Sequence, residues 1–439
     1  MARNSFVLLI FVGILFLFLF YSSSLQGKAG QTTIDSWSMF RHDSVHSGFS
    51  TSAKQSTNQT LWKQQTNGQI WSSPAVANGT VYVGSFDKAI YALNTTSGAK
   101  IWTYPTAGEI FSSPAVSNGF VYVGSIDRHI YALNASIGVQ LWNFTTGGSV
   151  FSSPTIADDS LYIGSDDSYV YSLDAQTGNL LWSYKTGAEV QSSPAISNGI
   201  AYVGSNDTNI YAINALTGQK IWSYSTDSYV TSSPSVAGGM VYVGSFDNNT
   251  YALNSTTGKL MWKRTTGYDI CVQSSLAVHN DIVYTGSSHT FSYFSGGYTE
   301  SATGAGCENI YALNATTGDI IWNYTTGGGI WSSPAVASGF VFVGSGDNRV
   351  YALNAQTGDL EWSYETNGAI YSSPAILDGV AYVGSTDNSL YAIGSTKSAD
   401  DLGVQINPYH LIIVGITAFT MTAIIFLLFR KRQTKSSSF

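Results

Sequence analysis

The chain has 439 residues, of which 44% are hydrophobic, 14% aromatic and only 10% charged. This supply of aromatic side chains excludes an intrinsically disordered chain, which carries far less surface for folding to bury. Residues 37–400 hold 13 Lys and Arg against 25 Asp and Glu, and so acidic a body argues against nucleic-acid binding because phosphates require a basic face.

The N-terminal region begins with an apolar run over residues 6–21, shortly after Arg3. Such a run predicts a signal peptide or a signal anchor within residues 1–29. Residues 30–60 then form an N-terminal extension that contains His42, Asp43 and His46. Two imidazoles and a carboxylate at this spacing could ligate a metal ion. We favour packing or capping roles for them and predict no metal site.

The body of the chain repeats with a period of 40 residues, stretched to 60 once. One copy, residues 111–150, reads FSSPAVSNGFVYVGSIDRHIYALNASIGVQLWNFTTGGSV. A period of this length is typical of a solenoid, a propeller or an array. Each copy carries one tryptophan that we interpret as an inter-blade packing residue with a locally satisfied N–H group: Trp62, Trp102, Trp142, Trp182, Trp222, Trp262, Trp322 and Trp362.

Each copy contains four short strand segments, named A to D: SSPAV, VYVGS, IYALN and a stretch such as LWNFTT. Asn and Gly between them supply the positive φ angles that tight turns need. Strands A to C occur eight times, and the first strand D precedes every strand A, so the N-terminal strand completes the last blade. The sequence therefore predicts an all-β, eight-bladed β-propeller of four-stranded blades over residues 61–396.

The segment ALNAQTGDLEW at residues 352–362, and the opening WSMFRHDSVHSGFS from Trp37, resemble the pyrroloquinoline-quinone-like (PQQ-like) β-propeller repeat family. That family includes quinoprotein dehydrogenases, which hold PQQ with Ca²⁺ over the channel, between a Trp and a disulfide of adjacent cysteines, with an Asp as base. It also includes cofactor-free scaffolds, such as the propeller lipoprotein of the outer-membrane barrel-assembly machinery. This chain has no adjacent cysteines.

The resemblance implies two functions, and a passive surface-layer or spacer role is a third possibility. We expect no cofactor and no catalytic residues, and a non-enzymatic binding or scaffold module. The alternative is a PQQ-dependent dehydrogenase of alcohols or sugars, with PQQ and Ca²⁺ as cofactors.

The residue before each Ser-Ser pair varies from copy to copy and should lie near the upper mouth of the channel. Five of these residues are aromatic and belong to consecutive blades, and three are polar. An aromatic wall that faces a polar wall could bind a flat or sugar-like ligand, whereas the other interpretation is inter-blade packing. These candidate rim residues are Trp71, Phe111, Phe151, Gln191, Thr231, Gln273, Trp331 and Tyr371.

Two further positions recur. The Ser-Ser pair that opens strand A could offer hydroxyls to a polar ligand, but we favour a packing role that lets eight inner strands crowd together. The Asp after Gly-Ser could form a calcium-binding ring, but we expect each to cap its own turn. These residues are Asp87, Asp127, Asp167, Asp207, Asp247, Asp347 and Asp387.

The sixth copy carries an insertion between strands B and C, at about residues 288–309. Long loops on a rigid scaffold often carry function, so we predict either a partner-binding loop or a tolerated insertion. Its candidate contact residues are Phe291, Tyr293, Phe294 and Tyr298. The chain has two cysteines, too few for a cysteine-ligated metal centre. We expect a Cys271–Cys307 disulfide that staples the insertion to the upper face.

The C-terminal region predicts a membrane anchor. Residues 397–410 form a juxtamembrane stalk, and residues 411–429 are uncharged and long enough, at about 28 Å, to cross the hydrocarbon core. The basic tail, residues 430–439, then lies in the cytoplasm and the body outside it. Ten sequons agree with that location, although turn chemistry also favours them. They are Asn58, Asn78, Asn94, Asn134, Asn143, Asn206, Asn248, Asn254, Asn314 and Asn323.

The two faces of the predicted propeller differ in their access to partners. The D–A and B–C loops share one face, named the upper face, and the A–B and C–D loops share the lower face. The last strand C ends on the lower face, close to the predicted anchor. We therefore expect the lower face toward the membrane and the upper face toward an envelope protein or a surface polysaccharide.

Overall fold

The computed structural model describes residues 36–52, 58–266, 274–288, 291–294, 297–300 and 308–394. The chain divides into two compact units, Met1–Ser36 and Trp37–Phe439, and all described residues except Ser36 belong to the second. The predicted signal segment and the predicted anchor at residues 411–429 lie outside the described residues. Within the described ranges, no helix has the length and apolar character needed to cross a membrane.

The described strands begin with β1 (Phe49–Ser50) and β2 (Thr60–Gln65). Blades 1 to 4 follow, each from strand A to strand D: β3 (Ala75–Ala77), β4 (Thr80–Ser85), β5 (Ala89–Asn94), β6 (Lys100–Pro105); β7 (Ala115–Ser117), β8 (Phe120–Gly124), β9 (His129–Asn134), β10 (Gln140–Thr145); β11 (Thr155–Ala157), β12 (Ser160–Gly164), β13 (Tyr169–Asp174), β14 (Leu180–Lys185); β15 (Ala195–Ser197), β16 (Ile200–Gly204), β17 (Asn209–Asn214), β18 (Lys220–Ser225).

Blades 5 to 8 continue the pattern, and blade 6 has an extra hairpin between its strands B and C. Their strands are β19 (Ser235–Ala237), β20 (Met240–Ser245), β21 (Asn249–Asn254), β22 (Leu260–Thr265); β23 (Ala277–His279), β24 (Ile282–Gly286), the hairpin β25 (Phe291–Phe294) and β26 (Gly297–Glu300), β27 (Asn309–Asn314), β28 (Ile320–Thr325); β29 (Ala335–Ala337), β30 (Phe340–Gly344), β31 (Arg349–Asn354), β32 (Leu360–Glu365); β33 (Ala375–Leu377), β34 (Val380–Ser385), β35 (Ser389–Gly394).

The eight antiparallel sheets form a closed ring, which confirms the predicted eight-bladed propeller. Strand β2 pairs with β35, with Trp62 opposite Ala392, so the N-terminal strand supplies strand D of blade 8. The innermost strands of successive blades are neighbours, and β33 of blade 8 lies against β3 of blade 1. Closure in this way leaves no blade at an open end of the array.

Strand A is shorter than the sequence predicted. It covers only three residues, as in β3 of blade 1, Ala75–Ala77, and the preceding Ser-Ser-Pro lies outside the strand. The prediction of a five-residue strand was wrong because Pro has no N–H group for the sheet and because the serine amides bond to neighbouring blades instead.

Neighbouring blades are joined by the recurring tryptophans. Trp102 Nε1 donates a hydrogen bond to Ala135 O of the next blade at 2.9 Å, and the Tyr82 hydroxyl donates to the same oxygen at 3.1 Å. The indole ring also covers Gly138 of that blade. In the described part of the chain, seven tryptophans donate to a next-blade carbonyl in this way: Trp62, Trp102, Trp142, Trp182, Trp222, Trp262 and Trp322.

The segment of residues 37–52, named the hub segment, lines the inside of the ring. Its carbonyl groups accept hydrogen bonds of 2.6–2.9 Å from the central strand-A residue of six blades. Strand β1, within it, pairs in parallel with β29. The sequence predicted only an extension here. The six donors are the amides of Val76, Val116, Ile196, Val236, Val278 and Val336.

Candidate functional site

The lower half of the axial channel is occupied by the hub segment. Its contacts lie at the centre of each strand A, between the Ser-Ser pair above and the A–B turn below. Arg41 and His46 of this segment are fully buried. Among the described residues, the upper mouth is therefore the opening of the channel that is accessible to a partner.

His42 Nδ1 lies 3.5 Å from Asp43 Oδ2, but His42, Asp43 and His46 do not form a metal-binding group among the described residues. His46 Nδ1 lies 3.0 Å from Pro234 O of blade 5, and Nε2 lies 3.1 Å from Thr155 Oγ1 of blade 3, so this imidazole bridges the ring. Burial lowers the pKa of His46 to about 4, which keeps it neutral at pH 7. Asp43 instead accepts from the Ser47 amide and hydroxyl. The contacts of His46 and of Asp43 with Ser47 thus hold the hub segment in place.

The second serine of each Ser-Ser pair belongs to a closed ring of hydrogen bonds. The amide of each donates to the hydroxyl oxygen of the next at 2.9–3.1 Å, and the Ser373 amide returns to Ser73. The first serine bonds within its own blade, as where Ser112 Oγ accepts from the Gly124 amide at 3.0 Å. In several blades its hydroxyl also donates to the next blade, as from Ser72 Oγ to Ser112 O at 3.0 Å. This serine ring consists of Ser73, Ser113, Ser153, Ser193, Ser233, Ser275, Ser333 and Ser373.

The five aromatic rim residues form one continuous arc at the upper mouth. Their ring centroids follow one another at 6.1, 4.7, 5.8 and 4.8 Å. Phe86, from the B–C turn of blade 1, stacks on Trp71 at 5.3 Å and contacts Phe111 at 4.3 Å. All remain half-buried. In order, this aromatic arc is Trp331, Tyr371, Trp71, Phe111 and Phe151.

The opposite side of the mouth is polar. Gln191 Nε2 donates to Asp166 Oδ1 at 3.2 Å, and Thr231 follows in the next blade. Burial raises the pKa of Asp166 to about 6, with Glu189 and Asp167 adding to it and the Gln191 bond opposing it. Gln273, the third predicted polar rim residue, lies outside the described residues.

Unsatisfied buried atoms on the upper face are acceptors. Asn206 Oδ1, Asp87 Oδ1 and Asp387 Oδ1 are buried without a hydrogen-bond partner in the described part of the chain. All three lie in B–C turns. Asp87 and Asp387 belong to blades 1 and 8, on the side of the aromatic arc, and Asn206 belongs to blade 4, on the polar side.

The charges of this mouth do not fit the cofactor of the quinoprotein relatives. Its described D–A segments, which end in the rim residues, contain Glu109, Glu189 and Asp227 but no Lys or Arg. PQQ carries several carboxylates and would face carboxylates and aromatic rings here, and the described D–A segments offer no cation to pair with it. We derive no chemistry through this group.

The recurring Asp residues connect strands locally. Asp207 Oδ1 accepts from the Asn209 amide, and Oδ2 accepts from the Tyr211 hydroxyl and from the Gly187 amide of the preceding D–A loop. Burial raises the pKa of Asp207, but these hydrogen bonds outweigh it and lower the pKa overall. Each carboxylate is thus engaged within its own turn and the adjacent linker.

The insertion of blade 6 forms an antiparallel hairpin in its described part, with Tyr293 opposite Tyr298 and Phe294 opposite Gly297. It follows strand B and precedes strand C, which places it on the upper face. The predicted Cys271–Cys307 disulfide lies outside the described residues.

Sequons in the C–D turns have a local structural role. Asn94 Oδ1 accepts from the amides of Thr96 and Ser97 at 3.0 Å, and Asn254 and Asn314 act likewise.

Sequence reasoning missed three residues of the channel. Arg41 gave no signal, since it occurs once in a segment that does not repeat, and Phe86 was not singled out, although it shares the position directly after Gly-Ser with Phe246. Asp166 could have been noticed, because the doubled acid Asp166-Asp167 departs from the other copies at the position after Gly-Ser.

Comparisons with known proteins agree with this architecture. The family model described as outer membrane protein assembly factor BamB matches residues 50–193, 166–301 and 306–400. No curated protein matches the chain.

Similar solved structures share the fold at low identity. BamB from Moraxella catarrhalis is 18% identical, with a TM-score of 0.63 over 77% of this chain and 100% of that one. Quinohemoprotein alcohol dehydrogenase from Comamonas testosteroni is 16% identical, with a TM-score of 0.69 over 85% of this chain and 83% of that one. A europium-containing methanol dehydrogenase is 15% identical, with a TM-score of 0.67 over 82% of this chain and 98% of that one. With family matches over most of its length and a propeller built from these repeats, the chain belongs to the PQQ-like repeat family described as outer membrane protein assembly factor BamB.

Proposed function

We propose that this protein is a membrane-anchored, extracytoplasmic and non-enzymatic binding module, which holds a cationic segment of an envelope protein at its upper mouth. The observation that carries the proposal is the aromatic arc, which faces a polar side that holds Gln191 and Asp166. Aromatic faces attract cationic groups, and Arg and Lys carry only donors. The acidic D–A segments add attraction of the same sign.

Anchoring is supported by the apolar stretch at residues 411–429 and the Arg430–Arg432 cluster after it. Strand β35 ends at Gly394 on the lower face. With the anchor on that side, the upper mouth and the blade 6 hairpin face away from the membrane, where an envelope partner is accessible.

The test uses the full chain in detergent and short synthetic peptides. One peptide alternates lysine with tyrosine, and its matched partner has glutamate in place of lysine. Tryptophan fluorescence reports binding, because Trp71 and Trp331 lie in the arc. We expect the cationic peptide to bind, more weakly at high salt, and the double variant Trp331→Ala/Tyr371→Ala to lose roughly tenfold or more in affinity.

Leu216→Ala is the matched control, since Leu216 is 87% exposed in a C–D turn of the lower face. Equal binding of both peptides, or unchanged affinity in the rim variant, would refute the proposal. Binding of a neutral oligosaccharide at the same rim residues, with neither peptide bound, would reassign the mouth to a surface polysaccharide.

A further inference from the structure

Arg41 is a buried cation without a paired anion. It is 1% exposed, and its Nη1 and Nη2 donate to Pro334 O and Leu276 O. Its Nε has no partner, and no carboxylate of the described residues forms an ion pair with it. Burial lowers its pKa to about 9, so it remains protonated at pH 7. A buried charge is costly unless an opposite charge accompanies it.

Asp43 does not fill that role. It raises the pKa of Arg41 from a distance, but its oxygens have other partners. Oδ1 accepts from the Ser47 amide at 2.9 Å, and Oδ2 accepts from the Ser47 hydroxyl at 2.5 Å and lies 3.5 Å from His42 Nδ1. Among the described residues, Arg41 therefore has carbonyl acceptors but no paired carboxylate.

The serine ring supplies unused donors directly above Arg41. Each hydroxyl oxygen in the ring accepts an amide N–H, and none of the eight donates to a described residue. All eight keep 4–7% of their surface open, whereas the first serines of the pairs are at 0–1%. The ring serines thus keep a small accessible surface, and their hydroxyl protons are not committed to a described acceptor.

The guanidinium and the ring are adjacent. Leu276 and Pro334, whose carbonyls hold Arg41, directly follow Ser275 and Ser333 of the ring. The hub segment contacts the strand-A residues just below the ring. Hydroxyl donors around the axis and a cation at one side are complementary to an anion, and charge-assisted hydrogen bonds of this kind are strong.

We propose that the axial channel holds a small inorganic anion between the hub segment and the serine ring, with Arg41 supplying the positive charge and the ring hydroxyls supplying hydrogen bonds. The enclosed position favours a halide or a small oxyanion over an organic ligand. This site is independent of the partner surface at the upper mouth.

The first experiment is anomalous diffraction from crystals of the full chain soaked separately in bromide and in selenate. We expect a peak on the propeller axis, within hydrogen-bond distance of the ring hydroxyls, for at least one of the two. The bromide arm identifies a halide site and the selenate arm an oxyanion site. An axis without a peak in both soaks would overturn the proposal.

The second experiment is thermal unfolding of the full chain at constant ionic strength, with chloride, sulfate or phosphate replacing gluconate. We expect the midpoint to rise saturably by several degrees with the anion that binds. Arg41→Gln should abolish that rise, and Arg128→Gln, on an outer turn of blade 2, should keep it. Should Arg41→Gln fail to fold, Ser275→Ala/Ser333→Ala should shift the half-saturating concentration at least tenfold upward. An unfolding midpoint that is the same in gluconate as in the three test anions would contradict the site. A rise that these variants leave unchanged would contradict it as well.

Discussion

The indole ring of Trp102 covers Gly138 of the next blade so closely that a Cβ added to Gly138 would lie 2.6 Å from a ring carbon. Gly138 also has a φ of 71°, which side chains tolerate poorly. The same pair recurs around the ring, as Trp62 with Gly98 and Trp182 with Gly218. The docking tryptophan and the glycine of the C–D turn thus form one joint between blades.

We predict that Gly138→Ala destabilises the propeller by roughly 2–4 kcal/mol, through both the clash and the φ angle. Gly119→Ala is the matched control. Its φ is 81°, but an added Cβ there meets nothing within 4 Å, so it should cost only about 1–2 kcal/mol. Denaturant unfolding of the two variants separates the cost of the clash with the indole ring from the cost of the positive φ angle. Equal losses would show that the indole contact adds nothing.

His46 should make stability depend on pH. Its folded-state pKa is lowered to about 4 by burial, so the unfolded chain binds the proton first as the pH falls. The stabilisation is complete above about pH 6.5 and declines toward pH 4, by roughly 3 kcal/mol. His46→Gln should remove that part of the pH dependence, and His129→Gln, on blade 2, should retain it. A wild-type unfolding free energy that stays flat from pH 7 to pH 4.5 would contradict this role.

Asp166 should act in the opposite direction. Its pKa is raised to about 6, mainly by burial, so the folded state binds the proton first, and ionisation at pH 7 costs stability. Asp166→Asn preserves the shape and should stabilise the protein by up to roughly 3 kcal/mol at pH 7, with the gain fading toward pH 4. Thermal scans at both pH values, with Glu109→Gln as the control, test it. A gain independent of pH would point to packing instead.

Each hydrogen bond of the serine ring should contribute a similar amount to the free energy of unfolding. Ser333→Ala leaves the Ser275 amide without its acceptor, and an unsatisfied buried amide costs about 1–3 kcal/mol. Ser113→Ala, which affects the Ser73 amide, should cost about the same. Ser160→Ala, beside the A–B turn of blade 3, should stay within about 0.5 kcal/mol of the wild type. Equilibrium unfolding of the three variants gives the comparison.

The repeat made the propeller predictable because each copy carries the same turn and packing residues. The order of the rim residues along the chain likewise indicated a continuous aromatic wall, since successive copies become neighbouring blades. The course of the hub segment could not be predicted this way. Its contacts are made by single residues such as Arg41 and His46, each with a partner in a different blade. The environment of Asp166 depends equally on burial beside Gln191, which no spacing reveals.

The hub segment and strand β2 are synthesised early, but some of their partners belong to blade 8, which is synthesised last. Ser52 contacts Ile376, 324 positions later, and at about 5–20 residues per second the ribosome needs roughly 15–65 s to make the intervening chain. During that time the earliest part of the domain waits for its last partners. A product that terminates before blade 8 would lack the partner of β2 as well as the missing blade. The N-terminal residues therefore reach their full set of contacts only after blade 8 has been synthesised.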